Sequence, residues 1–246
     1  TAKNTIVFQA NESYWNADNI NIHTLTWLYN DQSDATKGYN DTMAGTIDGT
    51  GLNSAAVAAC KADGNFDEYA YVADTNATSF MGFYNINRSL FANANDSTKV
   101  VSSQTEEEAA RTKEAMQNVH FRRALSMSLD RGSYLAQQVG DDLKYASMRN
   151  SFTPGNFVSL EEDTTVDING TATTFPAGTF YGEIVQAQID ADGVKIKVWD
   201  PEAAEGAGSS DGFDGWYSPE NAVEELNQAV EELAADGVTV DAENPI

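Results

Sequence analysis

The chain has 246 residues, enough for one large domain or two small ones with ample length to bury a core. Hydrophobic residues make up 41% and charged residues 21%, an ordinary globular balance, but 38 acidic against 14 basic residues leave a formal net charge of -24. That charge disfavours nucleic acid and anionic membranes as partners, and the single cysteine, Cys60, excludes an internal disulfide and zinc sites built on several thiolates.

In chain order, Thr5-Ile6-Val7-Phe8 reads as a short strand, and Ile20 to Tyr29 as a second strand with one irregularity in its alternation. The polar turn Asn11-Glu12-Ser13-Tyr14-Trp15 lies between them. Asp31 to Ala44 fits a helix with Ser33 or Asp34 at its N-cap and Gly45 at its end. Ile47-Asp48 reads as a short strand running into Gly49-Thr50-Gly51. Asn53 or Ser54 then caps an Ala-rich helix that reaches Ala62 and stops at Gly64, with Cys60 as a buried structural thiol.

Two strands are expected next, Glu68 to Ala73 and Ser79 to Ile86, joined by an Asp74-Thr75-Asn76 loop, and Asn93 to Ser103 reads as a surface insertion. Thr105 and Glu108 form a capping box at the start of a helix to Gln117. Val119 to Val139 is expected as one long helix with an apolar stripe of Phe121, Leu125, Leu129, Tyr134 and Leu135. Asn169-Gly170 predicts the turn of a hairpin within Asp163 to Pro176. Ala203 to Gly215 reads as a mobile loop, and Pro219 opens a last amphipathic helix over Glu220 to Ala234.

Motifs for chemistry are sparse. His23 and His120 have neither a nucleophile pattern nor metal-ligand spacing. Asp190-Ala191-Asp192-Gly193 and Asp211-Gly212-Phe213-Asp214-Gly215 look like pieces of oxygen-ligand loops, but the glycine of the first comes too early for an EF-hand and its twelfth position is Pro201, so turn chemistry explains them better. Gly49-Thr50-Gly51 lacks the third glycine or the Lys-Ser/Thr of a nucleotide site. No catalytic residue, metal or cofactor is expected. No stretch approaches the ~20 apolar residues of a membrane span, and the ends, Thr1-Ala2-Lys3 and Asn244-Pro245-Ile246, read as those of an excised fragment.

Four segments are informative as a set: Asn11-Glu12-Ser13-Tyr14-Trp15; Gly45-Thr46-Ile47-Asp48; Tyr84-Asn85-Ile86-Asn87; and Val119-His120-Phe121-Arg122-Arg123-Ala124-Leu125 followed by Asp130-Arg131. In that order and spacing they resemble the oligopeptide/dipeptide/nickel-binding family of ABC-transporter solute-binding proteins, over about residues 3 to 155. The sequence departs from the family pattern in an insertion between Asn87 and Asn118 and in the placement of Arg122 after Phe121. Residues 156 to 246 match no motif of the family.

The resemblance implies an α/β fold, one lobe of a periplasmic-binding-protein type II-like architecture with a mixed sheet flanked by helices. Residues 1–246 would then be a single lobe, with a family-like core at 1–155 and a variable region at 156–246. It implies capture of a peptide between hinged lobes by a monomer at the extracellular face of a bacterial membrane or in the periplasm, lipid-anchored in the full-length protein. Delivery would be to an ABC permease, with no nucleic acid involved. Alternation over Met81 to Asn87 puts Met81, Phe83, Asn85 and Asn87 on one face. The resemblance turns that face, Phe83 and Asn85 above all, toward the peptide, with Thr50 and Gly51 on the cleft rim. Asn85 stands where some relatives carry Glu, which weakens any preference for a basic side chain. Two other readings stay open at this point. One is a secreted glycan-active or glycan-binding module using Trp27, Trp199 or Trp216 with paired carboxylates. The other is a peptide-sensing receptor on the same fold.

Overall fold

The computed structural model describes residues 4–73, 78–86, 96, 98–99 and 105–246. Helices and small antiparallel sheets alternate along the chain, and two compact units form, Thr1–Glu68 and Tyr69–Ile246.

In the first unit, β1 (Thr5–Gln9) pairs antiparallel with β2 (Thr24–Leu28), Ile6 opposite Trp27 and Phe8 opposite Leu25. The expected strand from Ile20 is shorter than its alternation implies, because Ala17–Asn19 form a turn of 3-10 helix and only Thr24–Leu28 find ladder partners. Helix α1 spans Lys37–Met43. It starts later than Asp31, because the side chains of Asp31 and Asp34 bond to the backbone N–H groups of Ser33 and Thr36 and hold the approach in turns. Helix α2 (Ser54–Ala62) carries the cap its sequence announces, with Asn53 Oδ1 accepting the Ala56 N–H at 2.9 Å. The small core holds Tyr39, Ala56 and Cys60 against Leu52, Ala59 and Phe66. Tyr39 donates its hydroxyl to Asp63 and accepts from Asn65, so its polar end is satisfied. Ile47-Asp48, expected as a strand, lies in a bend.

The second unit begins with a difference. Phe66–Tyr69 form a single helical turn, α3, that ends on the unit's first residue, and no strand forms over 70–73 or 78–86 among the described residues. Apolar alternation makes a strand only where a neighbour completes the ladder, and no described segment does so here. Residues 74–77 and Asn87 lie outside the described residues, as does the expected surface insertion apart from 96 and 98–99.

Helix α4 (Glu106–Gln117) opens with the reciprocal Thr105/Glu108 capping box. The expected long helix is two: α5 (Val119–Ser128) and α6 (Arg131–Val139). Asp130 breaks it by capping α6, its carboxylate accepting the Ser133 N–H at 2.8 Å, while Leu129 turns to extended backbone. The stripe expected for one helix therefore does not hold. Phe121, Ala124 and Met127 are buried, whereas Leu129 and Tyr134 are exposed.

Further along, β3 (Thr164–Ile168) and β4 (Thr171–Phe175) form a hairpin closed by Asn169 and Gly170, both at positive φ, the backbone of a two-residue turn of the primed type. Helix α7 (Tyr181–Ala191) and the one-turn helix α8 (Pro201–Ala204) precede α9 (Pro219–Ala235), which begins with proline in its first turn. Helix α5 packs on α9. One core cluster joins Met127, Val194, Ile196, Val198 and Ala222, and another joins Ala115, Phe121, Ala229 and Leu233. Trp199 is wedged against bare backbone: a Cβ on Gly155 would lie 2.3 Å from its ring, and one on Gly182 2.2 Å. Only glycine fits at either position.

Candidate functional site

The candidate ligand residues Met81, Phe83 and Asn85 lie on one segment, 78–86, of the second unit. Lacking a ladder, the segment is fastened by side chains. At its start Ser79 Oγ donates to Phe152 O at 2.7 Å, and Arg149 donates to Thr78 O at 2.8 Å and to Ser79 Oγ. Near its end the Tyr84 hydroxyl meets Ser126 Oγ on α5 at 3.0 Å. Between these anchors Phe80 is 96% and Phe83 85% exposed, whereas Met81 at 41% and Tyr84 at 43% are more covered. Asn85 is exposed as well. The segment thus presents two large aromatic side chains to solvent on a tethered backbone.

Thr50 and Gly51 lie in the first unit. Thr50 sits so close to Gly38 on α1 that a Cβ there would meet its Oγ1 at 2.5 Å, which fixes where the turn leaves the helix. Both residues are exposed.

The anchor Arg149 belongs to a buried polar network, 148–155 against 209–217, that sequence reading missed as a unit. Asp211 is 1% exposed, and its carboxylate accepts the backbone N–H of Asn150 at 2.6 Å and of Gly155 at 2.7 Å. Arg131, the first residue of α6, donates its backbone N–H and its guanidinium to Asp214. The same guanidinium reaches Arg149 O at 2.8 Å and Asn150 Oδ1 at 2.9 Å. Asp214 also accepts from the backbone of Trp216 and Tyr217, and Trp216 donates its indole N–H to Asn150 O. Arg149 Nε donates to Ser209 O at 2.7 Å. One network therefore connects the tether of the 78–86 segment to the start of α6 and to the Gly155 seat of Trp199. Ser210 and Asp211, within the stretch read from sequence as a mobile loop, are among its buried members. The alternation of Asp and Gly over 211–215 was the available signal, since turns rich in Asp and Gly follow from carboxylates bonding to nearby backbone N–H groups.

Of the three tryptophans of the glycan reading, Trp27 is exposed, and the other two are engaged. Trp199 is buried, and Trp216 spends its N–H internally. Among the described residues no group of three or more His, Cys, Asp or Glu side chains is placed to hold a metal ion. Among them, too, no helix is long and apolar enough to cross a membrane.

No family model matches the chain. Individual relatives do. The chain is 29% identical over 97% of its length to the oligopeptide-binding protein AmiA of Streptococcus pneumoniae, and 28% identical over 96% to AliB of the same species. It is 25% identical over 97% to the oligopeptide-binding protein SarA of Streptococcus gordonii. It spans only about a third of each of these relatives (31%, 32% and 31%). The similarity runs through residues 156–246, where no family motif could be read, and so exceeds the span that carried the resemblance. Over nearly its whole length, then, the chain is similar to about a third of a streptococcal oligopeptide-binding protein, which bears out the resemblance to that family of solute-binding proteins.

Proposed function

We propose that this chain is part of a longer extracellular solute-binding protein that captures oligopeptides and hands them to an ABC permease. The observation that carries the reading is the alignment of 96–97% of the chain with proteins named for oligopeptide binding. In this reading residues 1–246 are a single lobe, or most of one, of the type II periplasmic-binding-protein kind. The protein acts as a monomer held at the outer face of the membrane by a lipid anchor. Its work is binding without a chemical step.

Met81, Phe83, Asn85 and Asn87 border the cleft in this reading, with Thr50 and Gly51 on its rim. The exposure of Phe83 and the side-chain tethers at Ser79 and Tyr84 support it: a ligand-facing segment held from behind is organised before the ligand arrives. Main-chain hydrogen bonds to an extended peptide would supply affinity without reading its sequence, and water in roomy side-chain pockets would tolerate variety. Closure of two hinged lobes would bury the ligand.

The test is to incubate the longer protein with a mixed peptide pool and identify retained species by mass spectrometry. Short peptides of mixed sequence are the expected outcome. Retention of a metal chelate or a glycan with no peptide would overturn the ligand. The 246-residue chain alone is expected to bind peptides weakly or undetectably in calorimetry, because the rest of the cleft is contributed from elsewhere in the longer protein.

A further inference from the structure

Asn169-Gly170 is the only Asn-Gly pair in the sequence, and both residues are exposed at the tip of the β3–β4 hairpin. Such a pair is chemically reactive. The peptide nitrogen of the residue after an Asn can attack the side-chain Cγ, and glycine, which has no Cβ, hinders that attack least. Nothing would lie within 4 Å of a Cβ at Gly170, so the surroundings leave the tip open. Hydrogen bonds restrain it instead. Asn169 Nδ2 donates to Asp192 Oδ1 at 2.9 Å, and Gln188 Nε2 donates to Asn169 Oδ1 at 3.2 Å, which ties the side chain to the end of α7. Asp192 in turn accepts from Gln188 and faces Arg123 at 3.4 Å. The Gly170 N–H has a different partner, Asp167 Oδ1 at 2.8 Å. The nitrogen and the amide that would have to meet are each engaged elsewhere, and the Asp167 carboxylate opposes loss of the proton that the attack requires.

We propose that Asn169 is a site of spontaneous covalent modification, conversion to aspartate and isoaspartate, which its attachment to Gln188 and Asp192 holds in check. Gly170 N gives its proton to solvent and forms a bond to Asn169 Cγ. The Cγ–Nδ2 bond breaks, and the amide nitrogen leaves as ammonia with a proton from water. Water then opens the cyclic imide at one carbonyl to give aspartate, or at the other to give isoaspartate. In sum one amide and one water become one carboxylic acid and one ammonia, with no change of oxidation state. The product reverses the local electrostatics. The Asn169 amide is the first cause that holds the Asp192 carboxyl below its ordinary value of 3.8. A carboxylate in its place sets two like charges in contact, so conversion releases the hairpin tip from α7. The inference is independent of what the longer protein binds.

The experiment incubates the longer protein at mildly alkaline pH, folded and in guanidinium chloride. The peptide that contains Asn169 is followed by mass spectrometry, with aspartate and isoaspartate separated by chromatography. The folded protein is expected to convert at least about tenfold more slowly than the denatured one, because the reaction proceeds only through an opened tip. That comparison does not depend on a variant folding. Asp192→Ala, which removes the anchor, is expected to speed conversion of the folded protein roughly three- to tenfold. Arg123→Gln removes the ion pair, leaves the Asn169 contact in place, and is expected to change the rate by less than about twofold. No conversion in denaturant, or equal rates for folded and denatured protein, would overturn the proposal. So would an Asp192→Ala rate equal to that of the unmodified folded protein. An equal gain in Arg123→Gln and Asp192→Ala would overturn it in favour of the ion pair.

Discussion

Two segments of the second unit invert the usual placement of side chains, in opposite senses. Over 78–86 large apolar groups face solvent, with Phe80 and Phe83 almost fully exposed. Over 209–217 charged groups face inward, with Asp211 and Asp214 enclosed among backbone N–H donors, Arg131 and Asn150. The inward case is closed: each carboxylate has its donors within the described chain, Arg131, Asn150 and Gly155 among them. The outward case is open, since exposed aromatic surface is stabilised only by something that covers it. The buried carboxylates are thus accounted for by the described chain, and the exposed aromatics are not. The two are joined physically at Arg149, which tethers 78–79 with one part of its guanidinium and 209 with another.

The contrast can be broken first at Arg131. Its replacement by Met leaves Asp214, whose side chain is 5% exposed, without its cation, and should lower stability by about 3–5 kcal/mol in urea titrations. A loss under ~1 kcal/mol would mean that the network is dispensable. Next comes Asp211→Ala, which strands the buried N–H groups of Asn150 and Gly155 and is expected to cost ~2–3 kcal/mol by the same measurement. Phe83→Ser belongs to the other side of the comparison. It should change stability by no more than about 0.5 kcal/mol while weakening peptide retention by the longer protein roughly tenfold, a separation that a core residue could not produce.

The smallest effect is expected from acid. Glu108 is held below its ordinary value of 4.5, first by the Thr105 backbone N–H and then by its hydroxyl. Asp130 is held below 3.8 by the Ser133 hydroxyl and then its N–H. Because both are lowered on folding, the stability they contribute is complete above those ordinary values and disappears as pH falls through the lowered ones. Helix content followed by circular dichroism should therefore decline gently in that acidic window, and Glu108→Gln should remove the α4 share of the decline.

Local chemistry was legible in the sequence. The Asn53 cap, the Thr105/Glu108 box, the Asn169-Gly170 turn and the proline that opens α9 each depend on residues within a few positions of one another, and each stands where it reads. The break between α5 and α6 was misread because apolar periodicity carries across Leu129, while the deciding interaction is a single carboxylate bonded to Ser133. The strand expected over 79–86 depended on a partner that periodicity cannot supply. The Asp211 and Asp214 network joins residues 56 to 83 positions apart, out of reach of any window read along the chain. Of the candidate ligand residues, the exposure of Phe83 agrees with a ligand-facing role, but the alternation that selected it belongs to a strand that does not form among the described residues.

The pairing of α5 with α9 has a consequence for biosynthesis. His120 and its partner Glu225 are 105 positions apart. At the ~5–20 residues per second of translation, the surface of α5 that carries Phe121 and Met127 would wait roughly 5–20 seconds for the helix that covers it. During that interval a nascent chain bears an uncovered apolar helix, the kind of surface that chaperones hold and that aggregates when they do not. Slow closure of this contact, with a high separation in sequence and a loop-closure cost to match, is expected to set the pace at which the second unit folds.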